Sequence, residues 1–312
     1  MKAARINTYG GSDVIEIADI DAPRVSEGKV LVEVHAASLN PFDTTIRAGY
    51  MKDMIPLTFP VTLGGDIAGI VREVGGGVDN VAVGDKVFGS ANVVAGNSGA
   101  FAELAVTSAK QVAKAPANVD FKQAAALPLV GVSAWQGLTQ HIKLEAGQKL
   151  FVHGGAGGIG AVAIQLAKHL GAYVATTATG AGIDAVRVLG ADEVIDYKAA
   201  DFASQLSDYD AVFDTVGGDD FGKSYAILKR GGVAVSMIAS ADEAKAQELG
   251  ITAISEMAHI TTNALNELRS LVEAGVITAR IGATFELDEV RAAFEAREGD
   301  TKGKVVLVVK AD

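Results

Sequence analysis

The 312-residue chain contains no cysteine. This absence excludes disulfide bonds, thiol nucleophiles, iron–sulfur clusters and every zinc site that uses a cysteine ligand. Positive charge is also scarce, because 27 lysines and arginines stand against 38 aspartates and glutamates, which gives a net charge of −11. Nucleic acids and anionic membrane surfaces are polyanions, so we expect neither of them as a partner.

Long apolar runs are rare as well. Residues 123–142 contain no Asp, Glu, Lys or Arg, but Pro128, Gln136 and Gln140 interrupt the stretch and would be poorly tolerated in a membrane-spanning helix. We interpret these residues as buried protein core. The first residues, "MKAARINTYGG", lack the apolar segment of a signal peptide. We therefore expect a cytoplasmic protein without a membrane partner.

The hydrophobic pattern changes near residue 127. Before it, short apolar segments such as "KVLVEVHAASL" are separated by Gly, Asp, Asn and Pro, which predicts a β-rich, barrel-like domain. After it, the strand-like segments "KLFVHG", "YVATT", "EVIDY", "AVFDTV", "VAVSMI" and "ITAIS" alternate with helix-like segments. This alternation predicts a parallel α/β sheet covered on both faces. The last 50 or so residues hold two amphipathic helices and the strands "ARIGATFE" and "KVVLVV".

A glycine-rich loop lies within "KLFVHGGAGGIGAVAIQLAK", residues 149–168, between a strand pattern and an amphipathic helix. Gly155, Gly157 and Gly160 match the dinucleotide-binding pattern G-x-G-x-x-G, whose glycines allow a tight turn, close approach to a pyrophosphate and close helix–strand packing. The free N–H groups and the dipole at a helix N-terminus favour an anion. We therefore predict a cofactor phosphate site formed by Gly154, Gly155, Gly157, Gly158, Ile159 and Gly160.

The same loop also fits the G-x-x-x-G-x-G spacing of short-chain dehydrogenases, through Gly154, Gly158 and Gly160. Tyr225 and Lys229 would then supply the Y-x-x-x-K pair of that family. The positions argue against this interpretation, because in that family the loop opens the chain and the tyrosine lies much further downstream. We predict instead that Tyr225 and Lys229 belong to one turn of a helix, "DFGKSYAILK", which covers the sheet.

The order of the domains and the motifs resembles the medium-chain dehydrogenase/reductase family over nearly the whole chain, and most closely its zinc-free quinone oxidoreductase (zeta-crystallin-like) branch. The matching segments are "VHAASLNPFDTTIRAGY", "LGGDIAGIVREVG", "VGDKVFG", "AAALPLVGVSAWQGL", "GGAGGIGAVAIQLAK", "LGADEVIDY", "VFDTVGG" and "GKVVLVV". The resemblance implies a GroES-like catalytic domain at residues 1–126 with a return segment at 263–312. It also implies a Rossmann-type dinucleotide-binding domain, a doubly wound parallel sheet, at 127–262, and a homodimer.

The resemblance also bears on metals. Zinc-dependent relatives place a cysteine where this chain has Asn40, and a histidine–glutamate pair where it has Gly65 and Asp66. The five histidines show no ligand spacing such as H-x-x-x-H, so we expect no metal. Zinc polarises a carbonyl or stabilises an alkoxide. Without it, the resemblance implies a small acceptor that is electrophilic by itself, such as a quinone or an α,β-unsaturated carbonyl.

Several residues are candidates for the active site. The resemblance implies that Asn40 faces the nicotinamide and that Tyr50 donates its hydroxyl to the acceptor oxygen. The alternatives are an Asx turn at Asn40 before Pro41, and a plain pocket-wall role for Tyr50. Ser133 occupies the place of a family threonine near the nicotinamide. Val216, in "VFDTVGG", is also expected at the cofactor.

The second strand of the dinucleotide domain indicates which cofactor binds. NAD-binding loops usually have an acid about 20 residues beyond the glycines, but here no acid occurs before Asp184. A 2′-phosphate would not be repelled, so NADPH is favoured, with NADH also possible. Thr179 and Tyr197 match the family's usual phosphate ligands, whereas Gly180 and Gly182 stand where a basic residue is expected.

The predicted activity is therefore NADPH-dependent reduction of a quinone or an α,β-unsaturated carbonyl by direct hydride transfer. Two alternatives stay open. The first is an alkenal or enoyl reductase that delivers the hydride to the β-carbon. The second is a non-catalytic NADPH-binding protein with a structural or regulatory role, against which the joint presence of Asn40, Tyr50 and Ser133 argues.

Overall fold

The computed structural model describes residues 1–299 and 301–311. The chain divides into two compact units. Unit 1 comprises Met1–Leu129, Ile260–Ala274 and Ala279–Asp312, and unit 2 comprises Val130–His259 and Gly275–Thr278. The return segment expected at 263–312 includes Asp300 and Asp312, which lie outside the described residues.

The strands and helices follow in chain order. The strands are β1 (Lys2–Ile6), β2 (Ile15–Asp19), β3 (Lys29–Leu39), β4 (Val61–Thr62), β5 (Asp66–Val74), β6 (Lys86–Ser90), β7 (Leu104–Ser108), β8 (Val112–Lys114), β9 (Lys149–His153), β10 (Tyr173–Ala178), β11 (Glu193–Asp196), β12 (Tyr209–Asp214), β13 (Leu228–Ser236), β14 (Thr252–Ser255), β15 (Ile281–Glu286) and β16 (Lys304–Val308). The helices are α1 (Pro41–Ala48), α2 (Phe121–Ala125), α3 (Pro128–Trp135), α4 (Gly158–His169), α5 (Ala181–Val188), α6 (Asp219–Ser224), α7 (Glu243–Leu249), α8 (Thr262–Glu273) and α9 (Val290–Glu298).

Unit 1 is built on a larger sheet with the strand order β15-β16-β3-β5-β6-β8, in which β7 also pairs with β3. A second sheet has the order β2-β1-β4. The first part of β3 alternates in burial, with Val30, Val32 and Val34 fully buried, because successive side chains of a strand point to opposite faces. The predicted β-rich domain is confirmed.

The long central strand β3 determines which residues meet at one end of this sheet. Its antiparallel partner β16 sets Val305 opposite Leu39, and its other antiparallel partner β5 sets Asp66 opposite Ser38. The end of β3 therefore lies between the beginnings of β5 and β16. Residues that are far apart in sequence converge at this corner of unit 1.

Unit 2 contains a six-stranded parallel sheet with the order β11-β10-β9-β12-β13-β14. These strands are the six segments expected from the sequence, so the predicted α/β class is confirmed. The chain runs outward from β9 through β10 to β11, and then outward on the other side from β12. The order therefore reverses between β9 and β12. In open α/β sheets, ligands bind outside the carboxyl ends of the strands at such a reversal.

The uncharged stretch at residues 123–142 forms α2, α3 and a π-helical segment, Gln136–Ile142. Ala125, Val132 and Leu138 are fully buried, as expected for core. Among residues 1–299 and 301–311, no helix is long and apolar enough to cross a membrane.

One predicted helix is wrong. The segment "DFGKSYAILK" does not form a single helix, because α6 ends at Ser224, a 3₁₀ turn follows at Tyr225–Ile227, and β13 begins at Leu228. Pairing of Leu228 with Tyr209 draws the last two residues of the segment into the sheet. Tyr225 is buried and accepts a hydrogen bond from the Asp242 N–H (3.2 Å). Lys229, on β13, pairs with Asp210.

Candidate functional site

The glycine loop of unit 2 follows the central strand β9. Gly154 makes the turn in a left-handed conformation (φ +86°), which favours glycine. Its N–H donates to Thr177 Oγ1 (2.9 Å), and the Gly155 N–H donates to the Thr177 carbonyl (3.1 Å). The neighbouring strand β10, which carries Thr177, thus fixes the position of the loop.

Two of the motif glycines are required by packing within the protein. A Cβ at Gly160 would lie 2.3 Å from the Gly154 carbonyl oxygen, and a Cβ at Gly155 would lie 2.2 Å from Thr176 Oγ1. Both distances are far below van der Waals contact. Gly160 therefore allows α4 to pack closely on the loop, and Gly155 allows the loop to pack closely on β10, in agreement with the helix–strand packing expected from the motif.

Gly157 is different. It is exposed, its backbone is extended (φ −75°, ψ 171°), and the nearest atom to an added Cβ is the Gly154 carbonyl oxygen at 3.3 Å. Neither its conformation nor its packing demands glycine as strongly as those of Gly154, Gly155 and Gly160. The missing side chain leaves space in front of the α4 N-terminus. A bound pyrophosphate fits this observation, because the backbone can approach it closely.

The N-terminus of α4 supplies hydrogen-bond donors to that space. The helical hydrogen bonds begin with the Ala161 N–H, which donates to the Gly157 carbonyl (2.9 Å). The preceding N–H groups of Gly158, Ile159 and Gly160 belong to the first turn, whose donors have no acceptor within the helix. No acidic residue lies in this turn, so its partial positive charge is not neutralised locally.

A buried carboxylate supports the neighbouring strand end. Asp214, the last residue of β12, is fully buried, and its Oδ1 lies 2.9 Å from His153 Nδ1. Its Oδ2 accepts a hydrogen bond from Ser236 Oγ (2.6 Å). The N–H groups of Val216 and Gly217 donate to its Oδ1 (3.1 Å each). Burial acts to raise the pKa of Asp214, but these hydrogen bonds outweigh it and hold the pKa below its usual value.

This cluster positions a predicted cofactor residue. Asp214 fixes the turn after β12 through the backbone of Val216, and a Cβ at Gly154 would lie only 2.7 Å from Val216 Cγ2. Val216 therefore lies beside the glycine loop, across the reversal between β9 and β12. His153 is the satisfied core histidine expected from its place at a strand end. The roles of Asp214 and Ser236 were not predicted, although both residues end buried apolar strands.

The residues expected at a 2′-phosphate follow the carboxyl ends of two strands of the same sheet. In the parallel pair β10–β11, Ala178 is opposite Asp196, so Thr179 and Tyr197 are the residues that directly follow two adjacent strands. Tyr197 is exposed. Gly182, where a basic residue is expected, is buried in α5, and an added Cβ would lie 3.1 Å from Ala156 Cβ. A side chain at position 182 would therefore press on the glycine loop.

Ser133 does not follow any of these strands, because it lies on α3, which precedes β9 in the chain. It is buried in α3 (2% exposed), ahead of the π-helical segment. The structure therefore brings the loop glycines and Val216 together, and sets Thr179 beside Tyr197 at the same strand edge. The predicted role of Ser133 near a nicotinamide stays a prediction.

In unit 1, the two predicted catalytic residues flank α1. Asn40 immediately precedes the helix; its N–H donates to Asp43 Oδ2 (2.8 Å), and the Asp43 N–H donates to the Asn40 carbonyl (3.0 Å). Burial raises the pKa of Asp43 to about 7. Tyr50 follows Gly49 at the other end, and 80% of its side chain is exposed. The eight residues of α1, a helix about 12 Å long, lie between the two.

The Asn40 side chain is buried (3% exposed) and bonds to two charged residues. Its Nδ2 donates to Asp66 Oδ2 (2.8 Å), and its Oδ1 accepts from Lys304 Nζ. Asp66 also accepts hydrogen bonds from Ser38 Oγ (3.2 Å) and the Leu129 N–H (3.1 Å). Burial raises the pKa of Asp66 and lowers that of Lys304, and each is opposed by the charge of the other.

The positions at which the resemblance implies zinc ligands in zinc-dependent relatives converge at this cluster. Asn40 and Asp66 bond to each other directly, and a Cβ at Gly65 would lie 3.9 Å from Asp43 Oδ1. The donor set does not fit zinc, since these positions supply neither a thiolate nor an imidazole, and the Lys304 ammonium lies among them. Within the described ranges, no group of three or more His, Cys, Asp and Glu residues could hold a metal ion.

Two family models match parts of this chain. Residues 26–117 match the alcohol dehydrogenase GroES-like domain, and residues 189–307 match a family described as zinc-binding dehydrogenase. The chain is 34% identical over 319 residues to the chloroplastic NADPH-dependent alkenal/one oxidoreductase of Arabidopsis thaliana, an alignment covering 98% of this chain and 79% of the relative.

Two solved structures are similar over nearly the whole length. The quinone oxidoreductase of Coxiella burnetii superposes with a TM-score of 0.91 at 33% identity, covering 99% of each chain. The Escherichia coli quinone oxidoreductase complexed with NADPH superposes with a TM-score of 0.89 at 28% identity, covering 99% of this chain and 100% of the other. The GroES-like and Rossmann-type architectures expected from the sequence are confirmed.

Proposed function

Because the chain belongs to the quinone oxidoreductase branch of the medium-chain dehydrogenase/reductase family, we propose that it is an NADPH-dependent reductase of quinones or α,β-unsaturated carbonyls. The observation that carries this proposal is the exposed Gly157 at the N-terminus of α4. It is the motif glycine whose missing side chain leaves space for a ligand. This space lies at the strand-order reversal, where α/β sheets bind nucleotides.

In the proposed complex, unit 2 holds the cofactor. The loop residues Gly154–Gly160 bind the pyrophosphate with backbone N–H groups, and Thr179 and Tyr197 bind the 2′-phosphate. Val216 and Ser133 line the nicotinamide end. When bound, NADPH supplies a hydride from nicotinamide C4. The surrounding residues orient the ring and exclude water.

In the same proposal, unit 1 supplies the residues that act on the acceptor. Asn40 positions the nicotinamide, and the exposed Tyr50 hydroxyl donates a hydrogen bond to the acceptor oxygen. Negative charge develops on that oxygen when a quinone becomes a hydroquinone or an enone becomes an enolate. A donor placed there stabilises the transition state more than the ground state.

No step in this scheme uses a metal. The donor set around Asn40 and Asp66 does not fit zinc, although one matching family is described as zinc-binding. We therefore expect purified protein to contain no stoichiometric zinc and to keep its activity after chelation. One zinc per chain in a metal analysis, with activity lost on its removal, would contradict the metal-free scheme.

The similarity to an alkenal/one oxidoreductase favours alkenals and enones as a second acceptor class beside quinones. Oxidation of NADPH is followed by the loss of its near-ultraviolet absorbance, first with naphthoquinone and separately with a 2-alkenal. The two rates show which acceptor class the protein reduces. The variant Gly157→Asp serves as the control, because we expect a carboxylate beside the proposed phosphate site to abolish cofactor binding. If the protein binds NADPH but reduces neither acceptor, the result would instead support a non-catalytic role.

The domain roles, assembly and location are part of the proposal. We expect residues 1–126 with 263–312 to act as the catalytic domain and 127–262 as the cofactor domain, in a cytoplasmic homodimer. The exposed edge of the parallel sheet at β14 is the surface we propose for pairing. Light scattering that gives the mass of one chain at micromolar concentration would contradict the dimer.

A further inference from the structure

Lys304 is a buried cation of unit 1. It is the first residue of β16, and only 5% of its surface is exposed. An ammonium has three N–H donors, and three oxygens surround this one: the Leu39 carbonyl (3.1 Å), Asn40 Oδ1, and Asp66 Oδ2 (3.5 Å). Its hydrogen-bonding capacity is therefore fully used by the end of β3 and the start of β5.

This arrangement leaves the Asn40 carboxamide one orientation. Its oxygen faces an ammonium, which only donates, and its nitrogen faces a carboxylate, which only accepts. Exchanging the oxygen and the nitrogen would set two donors against each other and two acceptors against each other. Burial removes water as a substitute partner, so the exchanged orientation would leave polar groups unsatisfied.

The charge of the cluster also depends on Lys304. Asp66 and Asp43 are both buried. Lys304 acts electrostatically on both carboxyl groups, and Arg297 acts on Asp43. Of these two cations, only Lys304 hydrogen-bonds directly to Asn40 and Asp66. A divalent metal would bring two charges to the same corner, whereas the ammonium brings one charge and directional N–H donors.

We propose that Lys304 is a positioning residue, whose ammonium takes the place that a metal ion would hold between positions 40 and 66 and fixes the Asn40 carboxamide for catalysis. The part that concerns catalysis rests on the proposed function, in which Asn40 positions the nicotinamide. Lys304 acts through Asn40 and needs no contact with the cofactor or the acceptor.

The experiment uses substitutions that separate charge balance from positioning. Lys304→Met leaves Asp66 buried and unpaired, and we expect its Tm to fall by on the order of 10 °C. The pair Lys304→Met with Asp66→Asn removes both charges and keeps an acceptor for Asn40 Nδ2, so it should recover most of that loss. Lys310→Met is the matched control. Lys310 lies a few residues after Lys304 in the chain, and its exposed ammonium forms an ion pair with Glu33.

The kinetic prediction concerns the charge-neutral pair. With Asn40 Oδ1 deprived of its donor, we expect kcat to fall by roughly 10- to 100-fold, the size of a misplaced reacting group, with little change in the NADPH Kd. In the Asn40→Ala background, the same pair should cause no further loss, because Lys304 acts through Asn40. Wild-type kcat in the pair variant, or losses that multiply in the Asn40→Ala background, would overturn the proposal.

A second measurement needs neither turnover nor a folded Lys304 variant. Hydrogen exchange of the Asn40 side-chain amide is followed by NMR in the wild type, with its signals assigned by their disappearance in Asn40→Ala. We expect strong protection, since the amide is buried between fixed partners. Exchange as fast as that of an exposed amide would overturn the proposal, even if the enzyme reduced neither acceptor and the proposed function itself had failed.

Discussion

The substitution Gly157→Ala separates a ligand site from a merely tight turn. Its Cβ would lie 3.3 Å from the Gly154 carbonyl oxygen, which requires a shift of only a few tenths of an ångström, and the φ of −75° suits alanine. The folded protein should therefore tolerate it. Replacing a glycine in a permissive conformation even restricts the unfolded chain, which is worth about 0.4–1 kcal/mol of stability. We expect a Tm equal to or slightly above that of the wild type.

The same methyl group should weaken cofactor binding. It occupies the space in which we place the pyrophosphate and forces the phosphate away from the N–H groups of Gly158 and Ile159. A hydrogen bond to a charged group contributes about 1.5–3 kcal/mol. Loss of one such bond should therefore raise the NADPH Kd roughly 10- to 100-fold. Fluorescence titration with NADPH measures the Kd, and thermal unfolding of the same samples measures the Tm.

Two matched glycine variants complete the test. In Gly160→Ala the Cβ would lie 2.3 Å from the Gly154 carbonyl, so we expect both a lower Tm and weaker NADPH binding. In Gly222→Ala, on α6, the nearest atom is the flexible Lys245 Nζ at 3.9 Å, so we expect neither. If Gly157→Ala binds NADPH as tightly as the wild type, or loses as much stability as Gly160→Ala, the loop is not the phosphate site.

Three further predictions concern other residues. Thr179→Ala should lower affinity for NADPH roughly 10-fold or more and leave NADH nearly unchanged, because only NADPH carries the 2′-phosphate; parallel titrations check this, and a preference of the wild type for NADH would contradict it. Tyr50→Phe should slow single-turnover reduction of a 2-alkenal more than that of naphthoquinone, because the alkenal enolate depends more on a donor; equal, negligible losses would leave Tyr50 as pocket wall. The pKa of Asp43 is raised from 3.8 to about 7, so the folded state binds the proton more tightly than the unfolded chain. The contribution of Asp43 to stability is therefore fully present below about pH 4, and this contribution of roughly 4 kcal/mol is lost as the pH rises through about 7. Denaturant unfolding across this range should show that Asp43→Asn, which keeps an acceptor for the Asn40 N–H, removes this dependence; a variant with the wild-type pH profile would contradict it.

The parts of the fold that local sequence determines could be predicted. The six strands of unit 2 appear in the sequence as apolar segments, and the loop before α4 appears as a glycine motif. Both are recognisable because consecutive residues determine them. The segment "DFGKSYAILK" misled the prediction for the opposite reason. Its helical spacing is real, but Leu228 pairs with Tyr209 in the sheet, and that tertiary contact outweighs local preference.

The polar clusters could not be predicted, because strand register creates them. Lys304 and Asn40 are 264 residues apart, and they meet because β16 and β3 are adjacent with Val305 opposite Leu39. Asp214 and His153 meet in the same way through β12 and β9. A lysine at the head of an otherwise apolar strand was the available signal for Lys304, since such a residue needs buried acceptors.

Direct transfer of hydride from NADPH is the central claim, and an isotope effect tests it most directly. Single-turnover decay of the NADPH absorbance is followed with the better of naphthoquinone and a 2-alkenal, once with NADPH and once with NADPH deuterated at both C4 positions. We expect the deuterated cofactor to be consumed more slowly, because the C4–H bond breaks in the observed step, and chelation of metals should leave both rates unchanged. Equal rates for the two cofactors, or no consumption with either acceptor, would contradict the account.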